Sequence, residues 1–240
     1  GVGGFARLWS DVDLFSASLT VCVHIRHAPR PQRAAEVGDR RGERLPSMIP
    51  HIVYLHGFLS SPTTVKAQAL ADHLAAQGAL GQFLAPTLPV EPDAAIHTAE
   101  AALMECIDEP VLLVGSSLGG FYATWLAQKW NAPAVVINPA VRPDLSLQRY
   151  AGVQTHYVTG EQVLVRPEYF EQLGRYRVSA PDPDRFWLLC AQDDEVLDSS
   201  EMVSHYVGCK QTVTRTGGHT FADFAQYIPD ILAFGAEKAR

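Results

Sequence analysis

The feature that most constrains the fold is a glycine-flanked serine sequence that directly follows an apolar run. Residues 111–114 read Val-Leu-Leu-Val, and residues 115–119 read Gly-Ser-Ser-Leu-Gly, with a helix-like segment after them. An unbroken apolar run is typical of a strand buried on both faces of a parallel sheet. The two glycines permit a tight backbone, because a Cβ at either position would collide with a neighbouring strand or helix. The pattern predicts a strained strand-to-helix turn with Ser117 at its tip.

Further apolar runs place this turn in an alternating strand-and-helix order. Segments with helical periodicity lie between most of these runs, and the first of them is expected to start with Ser61 as its cap and Pro62 at its first position. The alternation predicts an α/β fold with a mostly parallel, doubly wound sheet. The predicted strands are 52–55, 83–85, 111–114, 134–137, 186–191 and 212–215.

Residues 144–184 interrupt this alternation. They separate two predicted core strands and are rich in Tyr, Gln, Arg and Pro, and a structureless loop of that length would be unusual. We predict a small cap insertion with one or two short helices over the site. Four of its aromatic side chains either line an acyl or alcohol pocket or simply pack within the insertion: Tyr150, Tyr157, Tyr169 and Phe170.

The residues that a nucleophilic serine requires follow Ser117 along the chain. Such a serine needs a base for its proton and a carboxylate to orient that base. Asp194 follows the run 186–191, and His219 follows the run 212–215. Both are therefore expected on loops at the carboxyl ends of strands, where open α/β sheets bind ligands. The order Ser, Asp, His is that of α/β-hydrolases. The alternative is a glycine-rich turn on which the serine is merely exposed.

A site for an oxyanion is predicted at the end of the first strand, where His56, Gly57 and Phe58 follow one another. The backbone N–H groups of Phe58 and of Leu118, the residue after the serine, are the expected donors. Each such donor can contribute about 3 kcal/mol to transition-state stabilisation. Gly57 is a candidate substrate-binding residue beside them. His56 is expected to shape the loop rather than to act as the base.

Several of these runs resemble the YqiA-type esterases, a branch of the α/β-hydrolase superfamily. The resemblance extends over about residues 48 to 235 and implies the α/β-hydrolase fold and an esterase that acts on short acyl esters, with acyl-CoA thioesters as a further substrate class. It also implies Asp194 as the acid, although the adjacent Asp193 stays an alternative and Asp198 a weaker one. The matching blocks are 54–58, 60–62, 66–67, 115–124, 138–143, 194–198 and 217–219.

Arg142 follows the predicted strand 134–137, close to the predicted site. Its guanidinium suits a substrate carboxylate or phosphate. It also suits a structural salt bridge at the base of the cap, and this second interpretation is preferred.

Composition and charge exclude several classes of protein. The net charge of −7 over 240 residues argues against a nucleic-acid binder, and no apolar run approaches the roughly 20 residues of a membrane span. The histidines show no metal-ligand spacing, and the expected chemistry needs no cofactor or metal. The four cysteines lack C-x-x-C spacing, and Cys106 and Cys190 are predicted to be buried thiols. This favours a cytoplasmic location.

Residues 1–47 differ in composition from the remainder. They contain seven arginines and no lysine, against five acidic residues, and the family-like sequence begins directly after them. We expect Met48 to be the natural start, which N-terminal sequencing of the native protein would test. The alternatives are a disordered basic arm and a signal sequence over 15–25, which Asp11 and Asp13 disfavour.

These patterns together predict a serine esterase that hydrolyses short-to-medium acyl esters through an acyl-enzyme, with a small-molecule acyl ester as its partner. One alternative is an acyl-CoA thioesterase with the same three residues, although an acidic chain offers little positive charge for the CoA phosphates. The other is a non-catalytic α/β-hydrolase scaffold that binds a ligand or a partner. The presence of all three catalytic residue types argues against this scaffold.

Overall fold

The computed structural model describes residues 49–238, so the predictions for residues 1–47 and for Met48 lie outside the described part. Eight strands form within that part, and six of them make one sheet in which every neighbouring pair is parallel. The strands are β1 (His51–Leu55), β2 (Phe83–Leu84), β3 (Val111–Ser116), β4 (Ala134–Ile137), β5 (Gly152–Thr155), β6 (Gln162–Val165), β7 (Phe186–Ala191) and β8 (Lys210–Thr214).

Helices cover this sheet, as the alternation predicts. They are α1 (Val65–Ala76), α2 (Pro92–Met104), α3 (Leu118–Trp130), α4 (Pro143–Ser146), α5 (Glu168–Arg175), α6 (Ser199–His205) and α7 (Ile228–Lys238). Short 3₁₀ turns lie at Leu80–Gln82, Gln148–Tyr150 and Phe224–Tyr227.

The order of the strands fixes where a ligand site can form. The sheet runs β2-β1-β3-β4-β7-β8, so the chain leaves β1 on one side to form β2 and returns to the other side to form β3. The crevice at the carboxyl ends of the strands where the order reverses is the usual ligand site of such sheets. Leu55 of β1 pairs in register with Gly115 of β3, so the loop after β1 and the turn after β3 begin side by side.

Both faces of the sheet are buried, which explains the unbroken apolar runs. Every residue of β3 is buried, and neighbouring residues alternate between the two faces: Leu113 packs in the cluster with α2 and α3, whereas Leu112 packs in the cluster with α1 and α7. Strands buried on both faces do not alternate between apolar and polar residues. The predicted α/β-hydrolase fold is confirmed by this architecture.

The predicted start of the first helix is wrong by three residues. The helix begins at Val65, and Thr64 is its cap, because the Thr64 side-chain oxygen accepts a hydrogen bond from the backbone N–H of Ala67 at 3.3 Å. The Thr64 hydroxyl also bonds the Tyr54 hydroxyl at 3.0 Å. Thr64 therefore joins the helix to β1, a tertiary contact that the spacing of Ser61 and Pro62 does not reveal.

The insertion after β4 contains the expected short helices, α4 and α5, and also an element that the sequence analysis missed. Strands β5 and β6 form a separate antiparallel hairpin, in which Val153 pairs with Leu164. Phe170 and Leu173 of α5 are buried against the main core. The base of the insertion is tied to α2, because the Tyr176 hydroxyl donates to Asp93 at 2.7 Å.

Several expectations from composition concern the described residues. Cys106 and Cys190 are buried free thiols as predicted, and burial raises the pKa of each to about 11. Between residues 49 and 238 no helix is long and apolar enough to cross a bilayer. In the same range no three His, Cys, Asp or Glu side chains are grouped so that they could hold a metal ion.

Candidate active site

Ser117 occupies a strained position between β3 and α3. Its backbone has φ 56° and ψ −122°, a left-handed conformation that non-glycine residues rarely adopt. The backbone N–H of Ser117 donates to the Ile137 carbonyl at 3.0 Å and anchors the turn to β4. A Cβ on Gly119 would overlap the Leu55 carbonyl, and one on Gly115 would overlap the Gly119 carbonyl. The two glycines thus let β1, β3 and α3 approach closely enough to hold the strained serine.

The structure brings Ser117, His219 and Asp194 into one hydrogen-bonded chain. The Ser117 Oγ lies 3.1 Å from Nε2 of His219, and Nδ1 of His219 lies 2.9 and 3.1 Å from the two carboxylate oxygens of Asp194. An ionised carboxylate accepts hydrogen bonds and donates none. The Nδ1 atom of His219 therefore carries the imidazole proton, and Nε2 presents its lone pair to the serine. Asp194 is itself fixed, because its Oδ1 accepts from the N–H groups of Val196 and Leu197 at 2.8 and 2.9 Å.

The two other candidate carboxylates have different partners. Asp193 accepts from the backbone N–H groups of Gly217 and Gly218, at 3.3 and 2.8 Å. Asp198 caps α6 by accepting from the N–H of Ser200 at 2.8 Å. Asp194 is therefore the candidate that contacts the imidazole ring.

Asn138, which follows β4, also holds the loop that carries His219. The sequence analysis did not single out this residue. The Asn138 side chain donates to the carbonyls of Gly218 and His219 at 2.9 and 3.1 Å and accepts from the N–H of Ala191 at 2.9 Å. Asn138 is fully buried and has a φ of 41°. A buried amide at the end of an apolar strand is the sequence signal that could have drawn attention to it.

The acidic run 193–195, which follows β7, also holds the loop that carries His219. Glu195 accepts from the backbone N–H of His219 at 3.0 Å, beside the contacts of Asp193 with the two preceding glycines. Three consecutive acidic residues, 193 to 195, thus contact one loop, and Asp194 alone among them meets the ring. The backbone on both sides of the imidazole is fixed by groups from β4 and β7.

The residues predicted to donate to an oxyanion lie on two segments, Phe58 in the loop after β1 and Leu118 at the first position of α3. In the described part of the chain neither Phe58 nor Leu118 uses its backbone N–H in a recorded hydrogen bond. His56 is buried, and both of its ring nitrogens have partners other than Ser117: its Nδ1 bonds the Gly57 carbonyl at 3.0 Å, and its Nε2 accepts from the N–H of Leu88 at 3.0 Å. Burial lowers the His56 pKa, so the ring is neutral and shapes the loop.

Gly57 lies directly against Ser117. A Cβ at this position would stand 3.3 Å from the Ser117 Cβ and 3.7 Å from its Oγ. The next turn of the loop contains Leu59, a buried non-glycine residue with a φ of 51°. Its carbonyl accepts from the N–H of Tyr157 in the cap hairpin, at 3.1 Å. The cap thereby contacts the loop that carries Phe58, one of the two expected oxyanion donors.

Lys66 is a further charged residue that interacts with Asp194. It lies in the first turn of α1, and burial lowers its pKa to about 8, whereas the Asp194 charge acts in the opposite direction. The resemblance block at 66–67 includes this lysine, but the pattern alone assigns it no role.

Arg142 does not reach this group of residues through any recorded contact. Its Nε lies 2.5 Å from a carboxylate oxygen of Glu201 on α6. This ion pair agrees with the interpretation that Arg142 forms a structural salt bridge rather than a contact with substrate. Among the cap aromatics, Tyr150 contacts the loop after β1, with its ring 5.9 Å from that of Phe58, whereas Phe170 packs into the core.

Solved structures with a similar fold share little sequence with this chain. A protein from Agrobacterium vitis S4 has 20% identity and a TM-score of 0.62, with 79% of this chain and 89% of that chain covered. Mouse alpha/beta hydrolase domain-containing protein 10 has 18% identity and a TM-score of 0.60, with 79% and 90% covered. Est1E from Butyrivibrio proteoclasticus, solved with ferulic acid, has 14% identity and a TM-score of 0.59, with 80% and 90% covered.

The family comparison covers most of the described domain. Residues 51–236 match the family described as an uncharacterised protein family, UPF0227. The match begins at β1 and ends within α7, so it includes the strained turn, both loops that carry Asp194 and His219, and the cap. The chain therefore belongs to the UPF0227 family, and its resemblance to the YqiA-type branch of the α/β-hydrolases is confirmed.

Proposed function

We propose that this protein is a serine esterase that hydrolyses short-to-medium acyl esters, with Ser117 as nucleophile, His219 as base and Asp194 as the acid that orients it. The observation that carries the proposal is the hydrogen-bonded chain from Ser117 Oγ through His219 to Asp194, with the serine raised on a strained turn. Strain of this kind costs about 1–3 kcal/mol and is typical of functional sites. The kinship with YqiA-type esterases supports ester hydrolysis as the reaction.

In the first half of the reaction, the Ser117 Oγ attacks the ester carbonyl while His219 Nε2 takes the hydroxyl proton. Asp194 accepts the hydrogen bond from Nδ1 and stabilises the imidazolium that forms. The carbonyl oxygen becomes an oxyanion, and the backbone N–H groups of Phe58 and Leu118 donate to it. The imidazolium then returns its proton to the leaving alkoxide, so an alcohol departs and an acyl-enzyme remains.

The second half repeats these steps with water. His219 takes a proton from water, the resulting hydroxide attacks the acyl carbon, and the same two N–H groups hold the second oxyanion. The bond between the acyl carbon and Ser117 Oγ breaks as His219 protonates the serine. The carboxylic acid leaves, and the enzyme returns to its starting protonation state without any cofactor.

Hydrolysis of p-nitrophenyl esters from acetyl to dodecanoyl, by wild type and Ser117→Ala side by side, tests the proposal. We expect wild-type turnover and a loss of about 10⁴-fold or more in kcat for the variant, since removal of the nucleophile disables the triad as a unit. Equal rates in the two proteins, or no turnover across the whole series, would contradict the proposal.

The same pair of proteins separates the other two function classes. A fluorophosphonate probe should label Ser117 in wild type and leave Ser117→Ala unlabelled, because it reacts with an activated serine. Absence of labelling would favour a non-catalytic scaffold. A kcat/KM for butanoyl-CoA that exceeds the value for p-nitrophenyl butanoate would favour a thioesterase.

A further inference from the structure

His56 joins the two loops that follow neighbouring parallel strands. The residue comes directly after β1, and its Nε2 accepts from the backbone N–H of Leu88, in the loop after β2, at 3.0 Å. The two loops start side by side, because β1 and β2 pair in parallel with Val53 opposite Leu84. A single buried side chain therefore links segments that lie 32 positions apart in the sequence.

The two hydrogen bonds of the His56 ring allow only one protonation state. Because Nε2 accepts from an N–H group, it carries no proton, and the proton of the neutral ring lies on Nδ1, which donates to the Gly57 carbonyl at 3.0 Å. A second proton has only Nε2 to bind, where it would face the N–H of Leu88. The hydrogen bond between the two loops therefore exists only while His56 is neutral.

The surroundings of His56 offer nothing that would stabilise a second proton. The side chain is 3% exposed, and it shares the wall of a small cavity with residues of the two loops, of α3 and of the cap. Among the described residues that line this cavity there is no Asp, Glu, Lys or Arg, and the other titratable ones are Tyr122 and His156. Burial raises the pKa of Tyr122, so its hydroxyl stays neutral. Burial lowers the pKa of His56, and repulsion by a charged His156 acts in the same direction.

We propose that His56 is an acid-sensitive latch between the loops after β1 and β2. When a proton from solvent binds Nε2, the hydrogen bond from the Leu88 N–H breaks, and segment 88–90 separates from segment 56–58. The second segment carries Gly57, which lies against Ser117, and Phe58. Acidification thus loosens the wall of the crevice on the side of β1. This inference concerns the fold and does not depend on the proposed reaction.

His56→Gln tests the latch, because a glutamine side chain also offers one accepting and one donating group but does not titrate. The unfolded chain takes up a proton at His56 near the ordinary pKa of 6.5, whereas the folded chain does so only at lower pH. Acid therefore favours unfolding of the wild type. Urea denaturation of both proteins between pH 7.5 and 4.5 gives the ratio of their unfolding constants, wild type over variant. We expect this ratio to rise by up to about tenfold per pH unit below pH 6.5.

His97→Gln is the matched control for this measurement. His97 lies on α2, is exposed, and makes no recorded side-chain hydrogen bond in the described part of the chain. We expect the ratio of unfolding constants between wild type and His97→Gln to change little with pH. A ratio for His56→Gln that changes no more than this control would overturn the inference.

Hydrogen exchange in the wild type tests the latch without any substitution at His56. The protection factor of the Leu88 amide is compared with that of the Ala191 amide, which donates to the side-chain oxygen of Asn138 at 2.9 Å, an acceptor that does not titrate. Below pH 6.5 we expect protection at Leu88 to fall by up to about tenfold per pH unit, because opening then exposes an imidazole that binds a proton. Equal changes at the two amides, or none at Leu88, would overturn the inference.

Ester hydrolysis supplies a separate readout that rests on the proposed function. Below pH 6.5, kcat/KM should fall more steeply in wild type than in His56→Gln, because acid then opens the latch as well as protonating the base. Equal steepness would contradict the loosening of the crevice wall. Hydrolysis that depends on Ser117, together with a pH-independent ratio of unfolding constants, defeats the latch and leaves the esterase proposal intact. If no ester is hydrolysed, the esterase proposal fails, and denaturation and exchange still decide the latch.

Discussion

The two sides of the crevice are built in different ways. On the sheet side, the loop of His219 is held by three side chains: Asn138, which follows β4, donates to its carbonyls, and Asp193 and Glu195, which follow β7, accept from its N–H groups. On the cap side, the hairpin of β5 and β6 contacts the loop after β1 through a hydrogen bond from the Tyr157 N–H to the Leu59 carbonyl, and it leaves Val153 64% exposed.

This difference assigns the two sides different tasks. Proton transfer between a serine and an imidazole requires the donor and acceptor to stay within hydrogen-bond reach, and a small displacement costs much of the rate. Side chains that follow β4 and β7 and bond the backbone of the His219 loop meet that requirement. The cap side only has to shape a pocket and exclude water, which looser packing allows. Substitutions on the sheet side should therefore cost more than substitutions on the cap side.

Asn138→Gly should produce the largest effect among these tests. Glycine adopts the left-handed backbone of this position freely, so the substitution removes the side-chain hydrogen bonds without adding strain. Unpaired buried groups on Ala191, Gly218 and His219 should lower the free energy of unfolding by about 3 kcal/mol, and the displaced imidazole should lower kcat/KM about 100-fold. Urea denaturation and ester hydrolysis measure the two effects.

Asn131→Gly is the control for that experiment. Asn131 also has a left-handed backbone, with a φ of 56°, but it is exposed at the end of α3 and makes no recorded side-chain hydrogen bond. We expect this variant to behave like wild type in both measurements. If the two asparagine variants were equally active, the sheet side would not owe its precision to Asn138.

Lys66→Met tests the electrostatic part of the sheet side through the pH dependence of stability. The folded-state pKa of Lys66 is about 8, below its ordinary value of 10.5, so the unfolded chain binds more protons between these values. Wild-type stability therefore gains up to about 3 kcal/mol from this residue as the pH rises from 8 to 10.5. Relative to wild type, the variant should be most stable below pH 8 and lose that advantage by pH 10.5.

The measurement is urea denaturation of wild type and Lys66→Met at pH 7, 8, 9 and 10. Lys129→Met, which removes an exposed lysine paired with Glu100, controls for the general loss of one positive charge. A stability difference between wild type and Lys66→Met that stays constant with pH would contradict a depressed pKa for this lysine.

Glu195 tests a smaller contribution to the same side. Glu195→Ala removes the acceptor for the His219 N–H, whereas Glu195→Gln keeps an oxygen in its place and removes only the charge. We expect kcat to fall about tenfold in the alanine variant and about twofold or less in the glutamine variant, with KM nearly unchanged, because one positioning hydrogen bond is at stake. Equal losses in both variants would mean that charge, rather than backbone positioning, is the contribution of Glu195.

The sequence predicted the sheet side far better than the cap side, for a physical reason. The turn at Ser117 and the unbroken strands leave local patterns, because a strained serine needs small neighbours and a doubly buried strand needs apolar residues. The contacts of Asn138 with the His219 loop join residues about 80 positions apart and leave no local pattern. The pattern of the acidic run likewise left the choice between Asp193 and Asp194 open, because only the folded loop decides which carboxylate meets the ring.

The cap hairpin was missed because its strands are short and partly exposed. β5 and β6 have four residues each and show neither a long apolar run nor a tight two-residue turn between them. The late start of α1 has a similar cause, because Thr64 is selected as the cap by its contact with Tyr54 as well as by its local position. At the start of α1 a tertiary contact thus outweighs the local preference for Ser61 and Pro62.

Leu164→Thr on the cap hairpin should have the smallest effect of all. Leu164 is 52% exposed and faces Val153 across the hairpin, and threonine keeps the strand propensity while shortening the apolar surface. The free energy of unfolding should change by less than about 0.5 kcal/mol, as is usual for surface positions, and kcat/KM for p-nitrophenyl butanoate should stay within about twofold of wild type. A loss comparable to that of Glu195→Ala would break the contrast between the two sides, because a loosely packed cap that only shapes the pocket has no precise geometry to transmit from its outer surface.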